Sequence, residues 1–199
     1  MRIPTVAAAC FVLLAATPLV PVPTDPEMGR VPPSLSPSGT EPPTLVVMVG
    51  DPAPDVSWQG PTSQTQRLRD LRAQGHLLLV FSPSDEQLRA LERERAQLLD
   101  RRVVPAAVLN RGPKSAAGLA RRLGLHYPLI PDPRRIIAAQ FSTLDPASGR
   151  PLPAWFVIDR RGQVRDLDRS GTLPEDLARL AFGALNLPAP GTARPSSTR

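Results

Sequence analysis

The chain has 199 residues and 41% apolar content, enough to bury one sizeable core and too little for two ordinary domains once its proline-rich ends are set aside. Its formal charge of +6 would suit a polyanion if it were clustered. Along the sequence, however, arginines mix with acids in residues 85–102 and 159–168; such mixing reads as solvated helix and hairpin faces, and no aromatic residues interleave with a basic stripe, so nucleic acid is not expected as a partner. The single cysteine, Cys10, excludes an intramolecular disulfide and Cys-type zinc sites, while His76 and His126 stand far apart with no carboxylate-rich motif of metal-ligand spacing beside them, so no metal or other cofactor is expected.

Residues 1–22 read as a signal peptide or an N-terminal anchor. Arg2 supplies a short positive region, residues 6–16 are an uncharged apolar run, and Thr17-Pro18 breaks it. The run alone is too short to cross a bilayer, but continued through Val22 it approaches the lower limit for a span. The expected destination is therefore outside the cytoplasm (periplasm, cell envelope or medium), with membrane contact only through this segment. Cys10 follows three alanines, a faint likeness to a lipoprotein box, or it is a small apolar residue of a targeting helix. Residues 23–44 are rich in proline and form a linker without core-building residues, and residues 189–199 a tail of the same kind. One domain is expected over residues 45–188.

Within it, His76-Leu-Leu-Leu-Val-Phe81 is a short apolar run of the kind that forms a strand buried on both faces. Ser84-Asp-Glu-Gln87 has capping-box spacing and opens a helix to about Arg101, with Leu88, Leu91, Leu98 and Leu99 at helical intervals. A second buried strand follows over residues 103–109, then helices over 115–123, stopped by Gly124, and over 133–141. Residues 155–159 and 164–168 flank a glycine-containing turn and read as a hairpin. Thr172-Leu-Pro-Glu175 again has capping-box spacing before a last helix with Leu177, Leu180, Ala181, Ala184 and Leu185 on one face. Strands alternating with helices in this order imply an α/β fold, a three-layer α/β/α sandwich on a mixed sheet.

Four segments carry a family likeness. Val49-Gly-Asp-Pro-Ala-Pro-Asp55, Leu78-Leu-Val-Phe-Ser-Pro83, Tyr127-Pro-Leu-Ile-Pro-Asp-Pro133 and Leu152-Pro-Ala-Trp-Phe-Val-Ile-Asp-Arg-Arg-Gly162 resemble, in order, segments of the peroxiredoxins and the wider alkyl hydroperoxide reductase / thiol-specific antioxidant group. The resemblance implies a thioredoxin-like fold, with Pro153 as the cis proline that such proteins hold before a core strand.

It also implies a chemistry that the residues do not support. A peroxiredoxin attacks peroxide with a thiolate at a helix N-terminus. Counted from Pro83 in the family pattern Pro-x-x-x-Thr-x-x-Cys, the threonine falls on Gln87 and the cysteine on Ala90; counted as a thioredoxin Cys-x-x-Cys, the pair falls on Glu86 and Arg89. Pro153 stands where the family's arginine is expected, and Asp85 with Glu86 would oppose a thiolate. Ser82 and Ser84 offer hydroxyls without a base in reach, and Asp85 and Glu86 are ordinary residues of a capped first turn. The expectation is a non-catalytic binding domain for a protein or small ligand, using Ser82, Pro83, Ser84, Asp85, Glu86, Pro153 and Trp155, with Trp155 either a cleft aromatic or a core residue. The alternative is an antioxidant oxidoreductase of the thiol peroxidase type.

Overall fold

The computed structural model describes residues 46–188. The N-terminal apolar segment, the proline-rich linker and the tail from residue 189 lie outside the described residues. A short antiparallel hairpin comes first, β1 (Ser57–Gln59) and β2 (Thr65–Arg67), followed by α1 (Leu68–Arg72). Then come β3 (His76–Phe81), α2 (Asp85–Asp100), β4 (Val103–Leu109), α3 (Pro113–Leu123), β5 (Leu129–Pro131), α4 (Ile136–Gln140), β6 (Ala154–Ile158), β7 (Val164–Asp168) and α5 (Leu177–Ala184). Among the described residues no helix is long and apolar enough to cross a membrane.

Five strands form one mixed sheet in the order β5-β4-β3-β6-β7. β3, β4 and β5 run parallel, and β6 and β7 are antiparallel additions. The continuous apolar runs earn the central places because both faces of β3 and β4 are covered. Leu77, Leu79 and Phe81 point into one core with Phe141 and Phe156, and Leu78 and Val80 into the other with α2, α3 and α5. In the first core the rings of Phe81, Phe141 and Phe156 lie 5.0–5.5 Å apart, tilted or edge to face, and the Arg169 guanidinium stands 5.0 Å above Phe156. Such tilted and edge-on pairs add to the stabilisation from burial alone.

α2 starts as its sequence dictates: Gln87 N–H donates to Ser84 Oγ and Ser84 N–H to Gln87 Oε1, closing the capping box. α3 ends at Gly124 with φ +66, the left-handed stop expected of a C-terminal glycine.

Three expectations are corrected. The helix expected over residues 133–141 begins only at Ile136, because Arg135 is left-handed (φ 59) and the buried Asp132 carboxylate accepts from Ala138 N–H, fixing the start later. The last helix begins at Leu177, not after Thr172. Asp176 accepts from Arg179 N–H, and Glu94, reaching across from α2, accepts from Ala178 N–H, so two orphan donors of the first turn find partners only there. Pro153 is trans, as is every peptide bond among the described residues. An isolated bridge between Leu144 and Pro151, with Leu152 N–H donating to Thr143 O, already delivers the chain to β6 in extended form, so its entry needs no reversal at the proline.

Candidate functional site

Phe81 pairs with Ala154 across β3 and β6, so the residues just beyond, Ser82 and Pro153, are neighbours at one end of the central strands. Ser82 lies in the left-handed region (φ 48), its N–H donating to Val108 O, and turns the chain sharply from β3 into α2. Pro83, Ser84, Asp85 and Glu86 follow on the same end. Six of the seven residues singled out from sequence thus meet here. Trp155 does not: it is 5% exposed, opposite Val80, and packs in the core with Leu88, Leu91 and Leu177, its indole Nε1 without a hydrogen-bond partner.

Beside this strand end, α2 and residues 173–177 enclose a cleft of about 520 Å³. Its apolar floor is Ala90, Leu91, Leu173 and Leu177, and its polar rim includes Ser84, Glu86, Gln87, Arg93, Glu94 and Glu175. Of the three positions where a family cysteine could fall on the two counts, Ala90 and Glu86 line it and Arg89 does not. Three carboxylates face one guanidinium, so the cleft favours a ligand with basic and apolar parts. Burial pushes the Glu94 carboxyl above its ordinary range and Asp176 adds to the effect, against the opposing hydrogen bond from Ala178 N–H and the Arg93 charge.

A second polar network locks the far side of α2. Glu92 accepts from His126 N–H at 2.8 Å and from Arg95 Nε at 2.9 Å, with His126 Nδ1 at 3.1 Å. Burial pushes this carboxyl up, but those hydrogen bonds outweigh it and hold the group below its usual range. Tyr127 donates to Leu88 O at 2.9 Å, and burial, with the Glu92 charge behind it, raises its phenol so that it remains a neutral donor. Arg122 reaches Asp85 at 2.8 Å in solvent, a pair of little energetic weight.

No thiol exists in residues 46–188. Ala90 is the sixth residue after the Ser84 cap, beyond the first turn in which the helix dipole acts. Among the described residues no cluster of His, Cys, Asp and Glu could hold a metal ion. Sequence reasoning missed Glu94 and the segment 173–177 as lining, because Glu94 sits in a run of arginines and glutamates that reads as solvated; its inward role depends on α5 packing above it.

Comparison with known proteins agrees with this architecture. The model of the AhpC/TSA family matches residues 49–167. Among solved structures, peroxidoxin BcpB from Mycobacterium tuberculosis superposes with a TM-score of 0.63 at 23% identity, over 70% of this chain and 97% of that one. AhpC from Enterococcus faecalis gives 0.60 at 18% identity, over 71% and 94%. The mitochondrial 2-cys peroxiredoxin from Plasmodium falciparum gives 0.57 at 15%, over 70% and 95%. No curated protein matches the chain.

Proposed function

The chain belongs to the AhpC/TSA family, and from that premise we propose that it is an exported, non-catalytic member that binds a protein or small ligand in the cleft between α2 and residues 173–177. The observation that carries the reading is the occupancy of the family's cysteine positions. Ala90, Glu86 and Arg89 stand at the counted positions, and the first two line a partly apolar cleft that contains no sulfur. A thiol peroxidase needs a thiolate as nucleophile, and no other side chain here has comparable intrinsic nucleophilicity at neutral pH. Its walls are core residues, Leu91, Leu173 and Leu177. Export rests on Arg2, the apolar run of residues 6–16 and the linker that follows.

The test is peroxide consumption by the full-length protein and by its Cys10→Ala variant, with dithiothreitol as reductant and a cysteine-containing peroxiredoxin as positive control. Neither protein should exceed the rate of reductant alone. Turnover retained in the Cys10→Ala variant would overturn the reading.

A further inference from the structure

Arginines that are dispersed in the sequence converge at the opposite end of the sheet. His76 opens β3, pairs with Val103 and donates its backbone N–H to Arg102 O, so the turn 101–102 lies against it. Leu77 pairs with Ile158, which brings the turn 159–163 to the same place. Arg72 closes the third side: its Nη1 lies where a Cβ on Gly162 would stand, so the guanidinium lies on that turn. Burial lowers the His76 imidazole, and Arg160 and Arg165 lower it further against the pull of Asp159, as expected of a group in a positive field. Arg72, Arg102, Arg160, Arg161 and Arg165 are thus gathered around one strand end; Asp159 stands 3.9 Å from Arg165, and Asp100 and the exposed Asp51 are further nearby acids, so five cations face three carboxylates.

Apolar side chains are exposed next to this cluster. Gly50 N–H donates to Val164 O and Val164 N–H to Asp51 O, which fastens residues 48–51 to the base of β7 beside the turn 159–163. Met48 is 57% and Val49 58% exposed, and the preceding Val46 51%. Of the five large apolar residues so exposed among the described residues, three, Val46, Met48 and Val49, lie within residues 46–49. Apolar groups beside clustered cations match an anionic lipid surface, whose headgroups neutralise arginines while its boundary region takes up apolar side chains. A nucleic-acid backbone would reward the cations alone.

We propose that this end of the domain docks on anionic lipid headgroups through Arg160, Arg161 and Arg102, with Met48 and Val49 entering the interface. The choice of a lipid surface rests on the exported, N-terminally membrane-directed reading above.

The experiment is flotation of the full-length protein with vesicles of phosphatidylcholine alone and of phosphatidylcholine with phosphatidylglycerol. Binding should be stronger to the anionic vesicles and fall when salt is raised from about 0.1 M to about 1 M, where the screening length shrinks to about 3 Å. The Arg160→Glu/Arg161→Glu double variant should lose about tenfold or more of that affinity, and Met48→Ser/Val49→Ser should also weaken it, each with an unchanged circular dichroism spectrum. Equal binding of wild type and variants to both vesicle types overturns the docking surface while leaving an N-terminal anchor standing. Anionic binding that is lost on charge reversal, without any binding to phosphatidylcholine, supports the docking surface and sinks the anchor. Displacement by duplex DNA, with no effect of Met48→Ser/Val49→Ser, would make the site a general polyanion surface and overturn the assignment to lipid.

Discussion

Glu94 links the cleft to the fold. Its carboxylate is half-buried on the cleft wall and accepts from Ala178 N–H, so one residue both lines the site and caps α5. Because burial raises its folded-state pKa above the unfolded value, the folded protein binds this proton more tightly than the unfolded chain. Its ionisation therefore opposes folding: the contribution is at its best below the unfolded pKa and is lost as pH rises through the folded one. Glu94→Gln keeps an acceptor for Ala178 and removes the charge. The variant should melt higher than wild type at neutral pH, and the advantage should shrink as pH falls towards the ordinary glutamate value of 4.5. Thermal melts across that range test it. Glu92 has the opposite sign, since its hydrogen bonds from His126 and Arg95 hold its pKa down and are lost as pH falls through it. An advantage for Glu94→Gln that persisted in acid would mean that its carboxyl is not the strained group.

At the scale of elements, two sequences with the same capping spacing behave differently, and substitution distinguishes them. Ser84→Ala breaks a formed capping box and should cost about 1 kcal/mol in denaturant unfolding. Asp176→Ala should cost a similar amount, because Asp176 accepts from Arg179 N–H at the true start of α5. Thr172→Ala, at an exposed residue outside any helix, should stay within about 0.5 kcal/mol. A large loss at Thr172 would restore the cap read from spacing alone. The contrast also shows what was legible. β3, β4, α2 and the β6–β7 hairpin were readable because their signals are local: apolar runs, a closed capping box, a glycine turn. The starts of α4 and α5 were not, since Asp132 and Glu94 set them by hydrogen bonds that arise from tertiary placement. The β1–β2 hairpin was missed because each strand has three residues and little apolar content besides Trp58, whose indole donates to Gln66 across the pair. The cleft was half legible: Ser84 and Glu86 were named from the family spacing, but the wall at residues 173–177 requires the position of α5. Nor could the sequence disclose that arginines near residues 72, 102 and 160 share one strand end, because the β register alone brings them together.

Over the whole molecule, the family's fold holds no thiol in residues 46–188, and it matters whether one substitution or many separate it from a thiol site. The present arrangement argues for many. α2 begins at Asp85 immediately after its cap, so a side chain at Ala90 lies in the second turn, past the reach of the dipole that would favour a thiolate. By the family spacing Gln87 falls at the hydroxyl position and Pro153 at that of the arginine, while Glu86, Glu94 and Glu175 line the cleft with negative charge that disfavours a second anion. Ala90→Cys, made with Cys10→Ala so that one thiol remains, should therefore titrate at or above the ordinary cysteine value of about 8.5 and should add no peroxide turnover. Glu86→Cys, in the first turn of the helix, should titrate lower than Ala90→Cys because it meets the positive helix end and removes a carboxylate at the same time. The rate of iodoacetamide alkylation against pH reads both thiols directly. If Ala90→Cys instead ionises below neutral pH and consumes peroxide, then the loss of one sulfur was the whole change, and the surrounding charges do not weigh against catalysis as argued. If the order of the two thiols is as expected and neither turns over peroxide, the cleft has been rebuilt around recognition, and its acidic rim becomes the feature by which to search for a ligand that carries basic groups.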